Sequence, residues 1–248
     1  MKRICCFASI AVVLCILPRG NAEQDKSAKL VREQERYTLA IALEFSKKNR
    51  NAVPRILSLL SGIDPNAYAT GFLVDDGLVM TSYHVISGKL SPSKKRLLGF
   101  RPQDELEVKA YVNGCQARIA KVDEDADLAL IRVCLASKDI KRPKFQTTPS
   151  QNEHLLVIAR PGDYKTVRRG LFYGSYTFRG QQYWSIKVDG QDGFSGSPVY
   201  NEKGQVVGIF SGYDWKQEIA FISPGVKAER FLADYDPNAP APTIHGDE

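Results

Sequence analysis

The spacing of apolar residues in this chain changes near residue 66. Residues 25–48 contain no glycine or proline and are rich in Glu, Lys, Leu and Ala. Leu30, Tyr37, Ile41 and Phe45 recur there at helical spacing and predict a helix with one apolar stripe. Residues 51–62 form a second short apolar piece, readable as a first strand or another helical turn. Together, residues 23–62 are expected to form an N-terminal helical extension.

Beyond residue 66 the texture is one of short apolar runs closed by turn residues. Gly71-Phe72-Leu73-Val74, the turn Asp75-Asp76-Gly77 and Leu78-Val79-Met80-Thr81 predict a hairpin. Residues 106–122 and 128–134 predict an antiparallel pair around the acidic turn Asp123-Glu124-Asp125-Ala126. The runs at 155–159, 171–178, 183–188, 198–200, 205–210 and 218–222 continue the pattern. Many short strands without intervening helices predict an all-β sandwich or barrel architecture. Residues 137–151 hold two prolines and no periodicity, and are expected to link two halves. Ser223-Pro224 is expected to open a terminal helix reaching about Ala233. Residues 234–248, read as three prolines and small residues without core formers, predict a disordered tail.

The start of the chain reads differently. Lys2-Arg3, an apolar run over 4–17, Pro18 and the small residues Gly20-Asn21-Ala22 have the order of a secretory signal. Cleavage after Ala22 is expected, which places the mature chain outside the cytoplasm, secreted or periplasmic. The run is short for a membrane span, so no stable membrane insertion is expected after signal removal. Removing Lys2, Arg3 and Arg19 leaves 31 bases against 28 acids, a net +3 in place of +6. That balance, with no basic block interleaved with aromatics, gives no argument for nucleic acid. Cys5, Cys6 and Cys15 leave with the signal, so Cys115 and Cys134 remain. A regular hairpin centred on the acidic turn would place these two sulfurs opposite each other and form a disulfide in an oxidising compartment. A slip of one residue would turn them to opposite faces and leave two free thiols.

Candidate chemistry concentrates in three places. In Asp192-Gly193-Phe194-Ser195-Gly196-Ser197-Pro198, two glycines flank a serine and a proline closes the turn. A nucleophilic hydroxyl needs such a bend, with backbone N–H groups converging where an oxyanion will form. Ser195 is the candidate nucleophile, and the amides of Gly193 and Ser195 are the candidate oxyanion donors. A plain β-turn would use the same residue types. His84, at the end of the run Thr81-Ser82-Tyr83-His84, suits a general base. Asp127 stands at the mouth of the apolar run 128–131, where a buried carboxylate can orient an imidazole. Asp123 and Asp125 compete for that role but lie in the turn. The order His, Asp, Ser differs from the Ser, Asp, His of α/β-hydrolases. No cluster of Cys and His suggests a metal, and this chemistry needs no cofactor.

These segments together resemble a trypsin-like (chymotrypsin-fold) serine protease over roughly residues 66–232. The likeness is greatest to the bacterial branch of HtrA/Deg proteases and glutamyl endopeptidases. The resemblance implies two antiparallel six-stranded β-barrels within residues 63–233, about 66–140 and 151–224, with the site in the cleft between them. It implies a His84–Asp127–Ser195 triad acting on protein or peptide substrates through an acyl-enzyme. It also implies a specificity pocket walled by Ser211, Gly212 and Tyr213, with Asp189 at the spacing of a pocket-base carboxylate that would select Lys or Arg. A small or apolar preference is the alternative. Two departures stand out. Phe194 occupies the place of the aspartate that pairs with a new N-terminus in zymogen-activated members, and a short tail follows where HtrA proteins carry a PDZ domain. A catalytically silent binding module and an esterase are the competing readings.

Overall fold

The computed structural model describes residues 20–48, 67–135, 140–162 and 164–242. The leader at 1–19 and the apolar piece at 51–62 therefore lie outside the described residues. Helix α1 spans Gly20–Gln34, and a single 3-10 turn at Glu35–Tyr37 leads into strand β1, Thr38–Lys47. The expected long helix thus ends at Gln34. Ile41, Leu43 and Phe45 are buried on alternate positions, the period of a strand. β1 is held by pairing on both sides, Ile41 opposite Ala69 and Phe45 opposite Val108. Ladder pairing and burial on both edges override the helix-forming composition of this stretch.

The first lobe contains β1 with β2 (Ala67–Asp75), β3 (Leu78–Thr81), β4 (Leu106–Val112), β5 (Cys115–Gln116), β6 (Arg118–Asp123) and β7 (Leu128–Arg132). They form one antiparallel sheet in the order β5-β4-β1-β2-β3-β7-β6. This sheet curls but, among the described residues, does not close, in place of the six-stranded barrel expected. The run 106–122 is broken by Asn113-Gly114, whose φ values of 49° and 78° suit a two-residue hairpin turn. Cys115 and Cys134 are bonded, with Cα atoms 6.0 Å apart. Extending the Arg118–Arg132 pairing would set Cys134 opposite Gln116, one residue off, and the break in the strand at Ala117 absorbs that offset.

The second lobe is a closed barrel in the order β10-β13-β12-β11-β8-β9. Its strands are β8 (His154–Ala159), β9 (Thr166–Phe178), β10 (Gln181–Lys187), β11 (Pro198–Asn201), β12 (Val206–Asp214) and β13 (Ile219–Pro224). Two short helices, α2 (Tyr83–Ile86) and α3 (Pro92–Leu97), follow β3, and α4 (Gly225–Ala233) follows β13. The two halves together form a chymotrypsin-like fold.

Apolar packing explains how the lobes stay together. One cluster fills the first lobe around Ile41, Val79 and Ile131, and another fills the second around Val157, Ile186 and Phe194. A third belongs to both: Phe72, Met80 and Leu130 meet Ile158, Tyr200 and Ile209, with Leu30 of α1 and Phe231 of α4. Leu30 is thereby fixed in the body of the molecule. Beyond α4 the chain stays attached as far as Tyr235, whose hydroxyl accepts a bond from Arg132 at 3.0 Å. The expected disorder does not begin at 234.

Candidate active site

The cleft between the lobes collects His84, Asp127 and Ser195. β3 stops at Thr81, and Ser82 is extended (φ −80°, ψ 144°), so the chain turns into the single helical turn of α2. Ser82 donates its hydroxyl to the carbonyl of Phe210 at 2.9 Å, tying this corner to the second lobe. Tyr83, Val85 and Ile86 are buried, which leaves His84 half-buried and facing the cleft. The histidine therefore sits on a helical turn just past the strand, not on the strand end itself.

Asp127 has φ +52°, a left-handed conformation that aspartate tolerates better than most residues. It is buried, at 7% exposure. Its N–H donates to Glu124 and its carbonyl accepts from Tyr83, each at 3.2 Å. The carboxylate then accepts the backbone N–H of His84 at 2.9 Å and the ring Nδ1 at 3.0 Å. Asp123 and Asp125 are occupied elsewhere, with Ala126 N–H and with Gln181, each at 2.9 Å. A carboxylate can only accept, so Nδ1 carries the proton and Nε2 of the neutral ring is bare. Nε2 lies 2.8 Å from Ser195 Oγ, the geometry of an acceptor for the hydroxyl proton. Partial burial of the ring opposes its protonation, and so does the charge of Lys94. The charge and hydrogen bond of Asp127 outweigh both, holding the His84 pKa above its usual 6.5.

The serine loop is held from below and from across the cleft. Gly193 and Gly196 have φ of +89° and +82°. A Cβ at Gly196 would stand 2.1 Å from both the carbonyl of Thr70 and the hydroxyl of Thr81, so no other residue fits. Gly196 N–H donates to Phe210 at 2.8 Å, and Ser197 N–H to Phe194 at 2.9 Å. Phe194 is fully buried and meets the ring of Phe210 edge-on at 5.6 Å. Where zymogen-activated proteases hold this loop with an ion pair, here a packed ring holds it. Ser197 Oγ is buried and finds no hydrogen-bond partner among the described residues.

Thr70 completes the support. Its N–H donates to Ser195 O at 2.9 Å, its hydroxyl donates to Gly193 O at 2.8 Å, and the same hydroxyl accepts Arg160 N–H at 2.9 Å. Its own carbonyl accepts from the hydroxyl of Thr81 at 2.8 Å. Sequence reasoning missed it, because a threonine in a strand is unremarkable. Only its place just before Gly71 in the quoted hairpin marks it. Among the described residues, the N–H groups of Gly193 and Ser195 have no protein acceptor.

The expected specificity residues are distributed less simply. Ser211 is buried on β12 and Gly212 and Tyr213 are half-buried beside it. Asp189 is exposed, so no buried carboxylate forms the base of a pocket at that position. Tyr213 presses on Gly190, where even a Cβ would approach its side chain to 2.8 Å, and packs against Trp215 at 4.6 Å. On the other side of Ser195 lies a cavity of about 440 Å³ that no sequence signal announced.

Comparison with known proteins places this geometry in context. A family described as the trypsin-like peptidase domain matches residues 69–209. Serine protease HTRA1A of Danio rerio is 31% identical over 184 residues, covering 68% of this chain and 35% of that protein. The glutamyl endopeptidase of Staphylococcus epidermidis is 27% identical over 153 residues, 58% of this chain and 53% of its own. The Rv3671c protease of M. tuberculosis in its active form superposes with a TM-score of 0.62 at 18% identity, over 96% of each chain. Deg5 superposes with a TM-score of 0.57 at 16% identity, over 84% of this chain and 92% of its own. At such identities the structural likeness speaks for the fold. The chain spans between about a third and a half of the length of the HTRA1-type relatives it matches.

Proposed function

The chain belongs to the trypsin-like peptidase family, and from that premise we propose that it is a secreted or periplasmic serine endopeptidase. The observation that carries the reading is the continuous chain of bonds from Asp127 through His84 to Ser195, closing at 2.8 Å beside two unoccupied amide donors.

Ser195 Oγ attacks the scissile carbonyl carbon as its proton passes to His84 Nε2. The imidazolium formed is stabilised by the buried carboxylate of Asp127, which stays ionised. The carbonyl oxygen becomes an oxyanion between the N–H groups of Gly193 and Ser195. As the tetrahedral intermediate collapses, His84 returns the proton to the leaving amine and an acyl ester remains on Ser195. Water, deprotonated by His84, then attacks that ester; as the ester C–O bond breaks, His84 gives the proton to Ser195 Oγ, and the acid product leaves with the serine restored. The apolar leader ending in Gly20-Asn21-Ala22 and the Cys115–Cys134 bond support an extracytoplasmic location.

A fluorophosphonate probe tests the site directly. The protein is expected to be labelled on Ser195 and to cleave casein in preference to short-chain esters, with both lost in Ser195→Ala. An intact protein that takes no label and cleaves nothing would make it a silent relative serving as a binding module.

A further inference from the structure

We propose that the 440 Å³ cavity beside Ser195 is a selective pocket for the first residue after the cleaved bond, and that it takes a large apolar side chain. The proposal rests on the endopeptidase reading and deepens it.

The cavity touches His84, Gly193 and Ser195 directly, so it opens onto the reacting atoms. Its walls are otherwise built mostly from the first lobe, Leu43 of β1, Ala69 of β2, Val85 of α2 and Leu97 of α3 among them, with Pro161 and Asp192 contributed by the second. No residue of β12 or of the segment 185–191 lines it. On the trypsin-like resemblance, the acyl half of a substrate lies on the side of β12 and that segment, where Ser211 and Gly212 stand. The half that departs with the amine must lie on the other side, because it receives its proton from His84, which the first lobe presents. The cavity is on that side. It is therefore the leaving group's pocket.

Its chemistry selects against charge. The wall is dominated by aliphatic carbon, and its volume falls in the range of small-molecule pockets. The lysines on its lining are each paired with an acid: Lys94 with Asp192 at 2.6 Å, itself a lining residue, and Lys89 with Glu124 at 3.0 Å. A charged residue entering the cavity would lose water without gaining an unpaired opposite charge. Two of the few large apolar side chains left exposed on the described surface, Leu97 at 75% and Tyr68 at 41%, lie on this same lining. Apolar groups left open together beside a reaction centre mark a binding surface. A leucine or phenylalanine that follows the cleaved bond would cover them.

Filling such a pocket with a large apolar side chain in place of none is worth about tenfold to a hundredfold in kcat/KM. The test is cleavage of a randomised peptide library by the purified protein, with the products sequenced, alongside fluorophosphonate labelling. Leu, Met and Phe are expected at least tenfold enriched over Gly and Asp at the first position after the cut. Leu97→Glu places a carboxylate in the pocket mouth at an exposed position, where folding does not depend on the side chain. It is expected to move the preference at that position toward Lys and Arg. Labelling and cleavage with a flat distribution there would overturn the proposal while leaving the peptidase reading intact. So would a Leu97→Glu profile identical to that of the parent. Absence of both labelling and cleavage would instead remove the peptidase reading, and this inference with it.

Discussion

Thr70→Val isolates one hydroxyl at the centre of the cleft. Valine keeps the branched shape and the strand preference of threonine, so the packing of this fully buried side chain is conserved. Two bonds disappear, the donation to Gly193 O and the acceptance from Arg160 N–H. Each leaves a partly buried backbone group unpaired at a cost of about 1–3 kcal/mol. Gly193 and Arg160 are both half-buried, so the lower part of that range applies, and a stability loss of about 2–3 kcal/mol is expected. The catalytic effect has a separate origin. The bond to Gly193 O pins the peptide that follows Gly193, and the two backbone torsions of Gly193, its φ at +89°, set the direction of the Gly193 N–H relative to that peptide. Without the bond the loop can rotate the donor away from the oxyanion. Complete loss of one such donor costs about 10²–10³ in kcat, so a fall of roughly 10- to 100-fold is expected for a donor that is loosened but present. KM should change little, because the ground-state carbonyl gains less from the donor than the oxyanion does. The assay is kcat and KM on a cleaved peptide, with urea unfolding of the same preparations. Thr70→Ser keeps the hydroxyl and should retain kcat within a few-fold. A folded Thr70→Val with kcat within twofold of the parent would refute the argument that this hydroxyl positions the oxyanion loop.

Three further outcomes follow from the same geometry. Because Asp127 holds the His84 pKa above 6.5 and the neutral ring is the base, the acid limb of kcat/KM should inflect above pH 6.5. The stabilisation from the charged ring runs the opposite way: it is complete below the unfolded value and lost as pH rises through the raised folded value. An inflection at or below pH 6.5, in the rate profile or the NMR titration of His84, would contradict this. Ser197→Ala should be neutral or stabilise by up to about 1 kcal/mol in denaturant unfolding, since it removes a buried hydroxyl without a partner among the described residues; a loss of stability beyond that size would show the hydroxyl to be satisfied. Replacing Cys115 and Cys134 together by Ala should lower stability by about 2–4 kcal/mol, an effect expected to vanish when parent and variant are compared under reducing conditions.

The meeting of His84, Asp127 and Ser195 was legible because the chemistry proposed for them needs particular residue types in particular local settings. Gly193 and Gly196 are demanded by positive φ, Ser195 lies between them, and His84 and Asp127 each adjoin an apolar strand. β1 was not legible. Ile41 and Phe45 fit a helical stripe and a strand face equally well, and only Leu43 between them tips the balance toward alternation. Partners as distant in sequence as Ala69 and Val108 decide the matter. The break at Asn113-Gly114 carried an ordinary turn signal inside a run that otherwise looked continuous. Asp189 failed for a different reason. Spacing from the serine does not say whether a loop tucks its carboxylate inward, and here the loop leaves it in solvent. Thr70 and the leaving-group cavity lie beyond local pattern altogether, since each is made by residues from segments that meet only in three dimensions.

The apolar cluster common to both lobes has a consequence for safety as well as strength. His84 and Asp127 hang from one half of the molecule and Ser195 from the other, and Phe72, Met80, Tyr200 and Ile209 are part of what keeps those halves in register. A nascent or partly melted chain that has not sealed this seam carries the reagents without the reactor. On the peptidase reading, cleavage is thereby coupled to completion of the whole body, and a chain still open at this seam cannot itself cut its neighbours.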